Sequence, residues 1–112
     1  AASYVCQNNE GQISETESIS AGLDYPGVSP IHCFLKDTKR ARYTHATDED
    51  ALNAYQMVTK FEKLNPSLEP CHAFAEAIKI APKLNKDTII IVNSCGDAKK
   101  DRDILRERLG KR

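Results

Sequence analysis

The stretch Thr88-Ile-Ile-Ile-Val92 decides the predicted fold, because it is a continuous run of β-branched residues with no polar residue in alternate positions. A strand of this composition is buried on both faces, as in a parallel sheet that is covered by helices. The run therefore predicts a parallel sheet with helices packed on it.

Helical patterns lie on both sides of this strand. Thr47 can cap a helix whose first turn is acidic and whose apolar positions recur at three- and four-residue spacing. Pro70 suits the first turn of a second helix, which Pro82 ends. The remaining predicted elements are a hairpin over about 2–16, a short helix over 31–36, a strand over 42–46 and a last helix over 101–109. This order predicts an α/β fold, a partial three-layer α/β/α domain with parallel strands, whose α/β part spans about 30–110.

The composition limits the classes of function. The 112 residues suit a single domain, and 16 basic residues balance 16 acidic ones, so no charged surface is predicted to bind nucleic acid or an anionic membrane. No apolar run approaches the length of a transmembrane helix. The four cysteines lack a C-x-x-C pair, which predicts reduced thiols and a cytoplasmic location.

Two parallel strands are too few for an independent sheet, since small isolated sheets are marginally stable. We therefore expect the chain to be a single partial domain, the end of a larger α/β protein, or to complete its sheet by association with another copy.

Ligands of parallel sheets bind outside the carboxyl ends of the strands, where loops lead into helices. Three segments qualify: residues 18–30, the turn at Glu69, and residues 93–97. Glu69 precedes Pro70 at the positive end of a predicted helix, so it is either a site carboxylate or only a helix cap. Cys95 is either a nucleophile or a structural thiol, because no companion base is implied by its neighbours.

Four blocks of the sequence resemble the tryptophan synthase β chain, a fold-type II pyridoxal-phosphate enzyme. Residues 18–30, S-I-S-A-G-L-D-Y-P-G-V-S-P, are similar to the family segment S-[VI]-S-A-G-L-D-[YF]-P-x-V-G-P. Residues 43–52 resemble the family's strand, capping threonine and acidic helix start. Residues 66–73 resemble the family segment P-A-L-E-S-S-H-A, and residues 91–96 resemble the family segment V-N-[LI]-S-G. The resemblance covers about the last quarter of a β chain.

The resemblance implies roles for individual residues. Asp24 matches an aspartate that pairs with an arginine when the active site closes, and Glu69 matches the glutamate beside the cofactor. Cys95 matches a serine that meets the pyridine nitrogen, and Gly96 follows it in the cofactor-binding motif. The backbone carbonyls of Tyr25 and Gly27 match ligands of an activating monovalent cation. The implied reaction of the whole enzyme condenses indole with L-serine to give L-tryptophan.

The partners implied by the resemblance are the rest of the β chain, a second β chain in a dimer, and a tryptophan synthase α subunit. The Schiff-base lysine and the phosphate-binding loop belong to earlier parts of the family sequence, so we expect the isolated chain to be inactive and to bind no pyridoxal phosphate. Two other interpretations stay open: a stand-alone, non-catalytic α/β module, and a related pyridoxal-phosphate lyase that uses another nucleophile.

The sequence departs from the family at several places. The loop S-G-R-G-D-K-D reads C-G-D-A-K-K-D over residues 95–101, and Pro70-Cys71 replaces two serines. Lys39 and Lys63 stand where family members usually carry glycine.

Overall fold

The computed structural model describes residues 2–110, and its contacts divide the chain into two compact units with a boundary between Thr44 and His45. The first unit contains helix α1 (Pro30–Asp37), and the second contains α2 (Asp48–Glu62), α3 (Leu68–Ile80) and α4 (Arg102–Leu109). Single turns of 3-10 helix lie at Ala21–Leu23, Ala81–Lys83 and Ala98–Asp101.

The first unit begins with a chain reversal at residues 8–11. The Oδ1 atom of Asn8 accepts hydrogen bonds from the backbone N–H groups of Glu10 (3.0 Å) and Gln12 (2.9 Å). This is the local bonding by which asparagine favours turns. Isolated antiparallel bridges then pair Gln7 with Ile13 and Val5 with Gly27. The N-terminal segment therefore folds back on itself and also contacts the segment that precedes α1.

Helix α1 starts where its sequence permits. Pro30 occupies the first position, where its missing N–H would have no partner, and the Ser29 side chain accepts a hydrogen bond from the Ile31 N–H. Cys33 is the buried residue of this helix, while Ile31 and Phe34 are exposed. One face of α1 is thus packed within the unit and an apolar face is exposed.

Helix α2 confirms the predicted cap. The Thr47 hydroxyl accepts from the Asp50 N–H (3.1 Å), and the Asp50 carboxylate accepts from the Thr47 N–H (2.9 Å), which completes a capping box. The helix ends at Glu62, and the capping residue Lys63 adopts the left-handed conformation with φ of 58°. Lys39 also has a positive φ of 57°. Both positions that depart from glycine in the family comparison therefore have the backbone conformation that glycine adopts most easily.

Helices α2 and α3 pack against each other and form the core of the second unit. The buried residues of this core include Ala51, Ala54, Val58, Leu68 and Cys71. Full burial of a side chain such as Leu68 contributes about 2 kcal/mol to stability. Ala51 and Ala54 are the small residues that α2 contributes to this core.

The predicted parallel strands do not form within residues 2–110, which is a correction to the predicted fold. Thr88–Val92 is neither helix nor strand, and Ile89 and Ile91 are 86% and 91% exposed rather than buried. Residues 42–46 also lack a strand. A β-branched run needs neighbouring strands for its backbone hydrogen bonds and side-chain packing, and the described residues provide none beside it.

Candidate functional site

Two segments of the second unit, residues 65–69 and 95–101, are held side by side and are called here the paired segments. The Ser67 N–H donates to the Gly96 carbonyl (3.3 Å), and the Ala98 N–H donates to the Asn65 carbonyl (3.0 Å). An antiparallel bridge joins Pro66 and Asp97 between these two bonds. The paired segments bring the start of α3 next to the loop that precedes α4.

Ser67 and Gly96 fit closely at the centre of the paired segments. The buried Ser67 hydroxyl donates to the Cys95 carbonyl (2.8 Å). Gly96 has a φ of 85°, and a Cβ at this position would lie 2.9 Å from the Ser67 Oγ. Both the backbone conformation and the space therefore require glycine at residue 96.

Asp101 caps helix α3 from a distant part of the sequence. Its side chain is buried, and its Oδ2 atom accepts from the Leu68 N–H at 2.9 Å. Ser67 is the N-cap residue by position, but its side chain makes no capping bond. Asp101 thus satisfies one of the amide donors that a helix N-terminus leaves without an intrahelical partner.

Glu69 lies in the first turn of α3, which begins at Leu68 rather than at Pro70. The Lys100 Nζ lies 3.0 Å from Glu69 Oε1 and 2.9 Å from Oε2, and it also donates to Asp101 Oδ1 at 2.6 Å. Partial burial of Lys100 acts to lower its pKa, but hydrogen bonds first to Asp101 and then to Glu69 outweigh that effect and raise the pKa. Lys100 therefore stays charged between two carboxylates.

The two cysteines near the paired segments differ in accessibility. Cys71 is buried and its thiol donates to the Ser67 carbonyl at 3.1 Å. Burial, with added repulsion from Asp101 and Glu69, raises the pKa of Cys71 to about 12, which disfavours the reactive thiolate. Cys95 is exposed, so it is the thiol of this region that an external group can contact.

The other predicted site residues lie in the first unit. Asp24 is exposed and follows a 3-10 turn, and its Oδ1 atom accepts from the Thr16 hydroxyl at 2.7 Å. Tyr25 is 74% exposed, and Gly27 takes part in the bridge to Val5.

The structure therefore groups three of the predicted residues, Glu69, Cys95 and Gly96, on the paired segments, and holds Asp24, Tyr25 and Gly27 in the other unit. The sequence interpretation gave no role to Ser67, Lys100 or Asp101. A signal was present for two of them, because Lys100-Asp101 keeps the K-D ending of the family loop while its preceding residues differ.

Two kinds of feature are absent from residues 2–110. No helix there is long and apolar enough to cross a membrane. Over the same described range, no cluster of three or more histidine, cysteine, aspartate or glutamate side chains is arranged to hold a metal ion. Glu69, Cys95 and Gly96 line neither of two hollows in the second unit, of about 680 and 270 Å³.

Comparison with known proteins extends over almost the whole chain. The tryptophan synthase beta chain of Bordetella petrii is 52% identical over 107 residues, which cover 96% of this chain and 27% of the relative. The protein of the same name from Fusobacterium nucleatum is 51% identical over 106 residues, covering 95% and 27%. That from Allorhizobium ampelinum is 51% identical over 98 residues, covering 88% and 24%.

No protein-family model matches the chain. The chain spans about a quarter of the length of the curated relatives it matches. Identity of about one residue in two, sustained over 96% of the chain, shows that this sequence matches a segment of proteins named tryptophan synthase beta chain.

Proposed function

We propose that the chain is the C-terminal segment of a tryptophan synthase β chain, and that the whole enzyme uses pyridoxal phosphate to condense L-serine with indole, giving L-tryptophan. The observation that carries this proposal is the agreement between the family match and the paired segments. Residues that the resemblance assigns to the cofactor, Glu69, Cys95 and Gly96, come from two distant parts of the sequence and are held on one hydrogen-bonded framework. The match does not favour a non-catalytic module or a lyase with another nucleophile.

The polar groups that the paired segments present suit one edge of pyridoxal phosphate. The exposed Cys95 thiol is a weak hydrogen-bond donor and acceptor that suits a ring nitrogen. Glu69, with a side chain that is 19% exposed, presents a carboxylate that the start of α3 and the Lys100 ammonium stabilise. The missing Cβ of Gly96 makes room for Ser67, so this glycine keeps the paired segments close together. Pyridoxal phosphate, when bound, supplies an electron sink for the substrate amino acid.

The paired segments supply position rather than a complete pocket in this proposal. With pyridoxal phosphate bound, Cys95 would contact its ring, and Glu69 would lie beside it as a fixed negative charge. Residues 2–110 contain no glycine-rich loop for the phosphate group. The phosphate-binding loop and the Schiff-base lysine are therefore assigned to other parts of the whole chain, and the isolated 112 residues are expected neither to bind pyridoxal phosphate nor to form tryptophan.

The residues of the first unit receive their proposed roles from the resemblance. Asp24, which now accepts from Thr16, would exchange that partner for an arginine elsewhere in the whole chain when the site closes. The backbone carbonyls of Tyr25 and Gly27 would bind an activating monovalent cation.

The exposed run Thr88–Val92 is proposed to join a parallel sheet in the whole chain. Its isoleucine side chains are exposed here, and the relatives are roughly four times longer than the matched segment. Neighbouring strands from the remaining three quarters would pair with its backbone and cover both faces. The proposed assembly is a cytoplasmic β–β dimer that binds a tryptophan synthase α subunit.

An assay of the whole chain tests the proposed function. Protein that contains this segment is supplied with pyridoxal phosphate, L-serine and indole, and tryptophan is measured by chromatography. Serine- and indole-dependent formation of tryptophan is expected. Turnover of serine with a different nucleophile but not with indole would contradict the proposal, as would tryptophan formation by the 112-residue chain alone.

A further inference from the structure

We propose that Lys100 and Asp101 are positioning residues that fix the Glu69 carboxylate at the start of helix α3. This inference rests on the proposed function, because it concerns the same candidate site. Neither residue is expected to contact the substrate. They act through Glu69, by holding its side chain and the helix turn that carries it.

Glu69, Lys100, Asp101 and Leu68 form a closed circuit of contacts. The Glu69 carboxylate contacts the Lys100 ammonium through both oxygens, at 3.0 and 2.9 Å. The same ammonium donates to Asp101 Oδ1 at 2.6 Å, and Asp101 Oδ2 accepts from the Leu68 N–H at 2.9 Å. Leu68 is bonded covalently to Glu69, so the circuit returns to its starting residue.

The Lys100 ammonium is held in place more firmly than the ammonium of an isolated lysine. An isolated, exposed lysine contributes little to the orientation of a carboxylate, because its side chain has many rotamers and its ion pair is screened by water. The Lys100 side chain is also 50% exposed, but the buried Asp101 carboxylate lies 2.6 Å from its ammonium and holds it in place. The ion pair with Glu69 therefore restricts both the position and the direction of the Glu69 carboxylate.

Asp101 also holds the backbone at the start of α3. Asp101 caps the amide next to Glu69, while the Ser67 side chain is used for a bond to the Cys95 carbonyl. The segment that carries Lys100 and Asp101 thus also carries Cys95. Fixing α3 to this segment sets where Glu69 lies relative to Cys95, and small displacements of a site group lower reaction rates strongly.

The test compares Lys100→Met with Lys100→Arg in the whole chain. Lys99→Met is the matched control, because it removes the same charge from the adjacent exposed residue. If Lys100 positions Glu69, Lys100→Met lowers kcat for tryptophan formation roughly tenfold or more with a change in the KM for serine below about threefold. Lys100→Arg recovers most of the lost kcat, since a guanidinium is also a cation that can contact both oxygens of a carboxylate. Lys99→Met matches the unaltered protein.

Backbone amide exchange gives a readout that does not require activity. Asp101→Asn keeps the side-chain shape but weakens the cap and the ion pair, so the Leu68 amide is expected to exchange about tenfold faster with solvent. Lys100→Met is expected to accelerate the same amide less, and Lys99→Met not at all.

The outcomes separate the two proposals. Equal kcat and equal amide exchange for Lys100→Met and Lys99→Met would overturn the positioning role even in an active enzyme. A lower kcat that Lys100→Arg does not recover would also contradict it. If the whole chain forms no tryptophan, the proposed function fails, while faster Leu68 exchange in Asp101→Asn and Lys100→Met still supports the circuit.

Discussion

The Oδ2 atom of Asp101 accepts a hydrogen bond from the backbone N–H of Leu68 at 2.9 Å, across 33 positions of sequence. This contact caps the helix that carries Glu69 with a residue from the loop that carries Cys95. Because the carboxylate is buried, its second oxygen depends on Lys100 for its partner. The same contact therefore caps the helix and helps to set the geometry of the candidate site.

Replacement of Asp101 tests this feature through stability. Asp101→Ala is expected to lower the free energy of unfolding by about 2 kcal/mol, since it removes a cap and leaves the Leu68 amide without its acceptor. Urea denaturation measures the change. Asp103→Ala, an exposed aspartate in the next helix, serves as control and is expected to cost less than about 0.5 kcal/mol. Equal losses for the two variants would contradict the capping role.

Gly96 and Gly11 provide a matched pair of glycine substitutions. Both have a positive φ, of 85° and 78°, but only at Gly96 would a Cβ meet a neighbour, the Ser67 Oγ at 2.9 Å. Gly11→Ala is therefore expected to lower the free energy of unfolding by about 1 kcal/mol through backbone strain. Gly96→Ala is expected to lower it by about 1–3 kcal/mol more, because its Cβ would also clash with Ser67. Thermal unfolding of both variants checks the difference.

A second variant separates the steric term at Gly96. Ser67→Ala removes the Oγ atom, so Gly96→Ala should cost less in that background than in the unaltered chain. If the cost is the same in both backgrounds, the contact between residues 67 and 96 is not what excludes a side chain.

Lys63 is expected to limit stability at the end of α2. Its φ of 58° is unfavourable for any residue with a Cβ, so Lys63→Gly should raise the free energy of unfolding by about 0.5–1 kcal/mol. Lys63→Ala keeps the strain and is expected to give no gain, although it also removes the bond from Lys63 Nζ to the Lys60 carbonyl. Stabilisation by alanine as large as that by glycine would argue against backbone strain.

The capping box of α2 predicts a dependence on pH. A backbone hydrogen bond and then a side-chain bond, both with Thr47, lower the pKa of the Asp50 carboxyl. A carboxyl with a lower pKa in the folded state stabilises the fold above its unfolded pKa and loses that contribution as pH falls through the folded pKa. The first turn of α2 should therefore lose this stabilisation only as the pH falls below the ordinary pKa range of aspartate.

Carboxyl NMR titration of Asp50 checks this prediction. Thr47→Val removes the side-chain bond and should move the Asp50 midpoint upward, toward the ordinary value. An unchanged midpoint would show that the hydroxyl of Thr47 does not contribute to the lowered pKa.

The elements that the sequence predicts well are those with local signals. Thr47 and Asp50 lie within one turn of each other, and their pattern alone indicates the start of α2, which the structure confirms. The short helix predicted over 31–36 also forms, from Pro30 to Asp37. The N-terminus of α3 was less clear, because its cap is Asp101, which is distant in sequence and has no local sign of that role.

The predicted parallel sheet is not confirmed within the described residues, because a sheet depends on residues that are distant in sequence. The composition of Thr88–Val92 predicts a buried strand, which needs neighbouring strands. The same composition does not reveal whether this chain supplies those neighbours. The candidate site also depends on contacts between residues that are distant in sequence. Gly96 was assigned to cofactor binding by resemblance, and its contact with Ser67 depends on a pairing that no local pattern specifies.

A chimera tests the central claim most directly. The matched 107 residues of the Bordetella petrii tryptophan synthase beta chain are replaced by the corresponding residues of this chain, and tryptophan formation from L-serine and indole is measured. We predict that the chimera forms tryptophan and that Glu69→Gln within it lowers kcat at least about tenfold. A chimera that folds like its parent, by circular dichroism and cofactor absorbance, but forms no tryptophan would contradict the account.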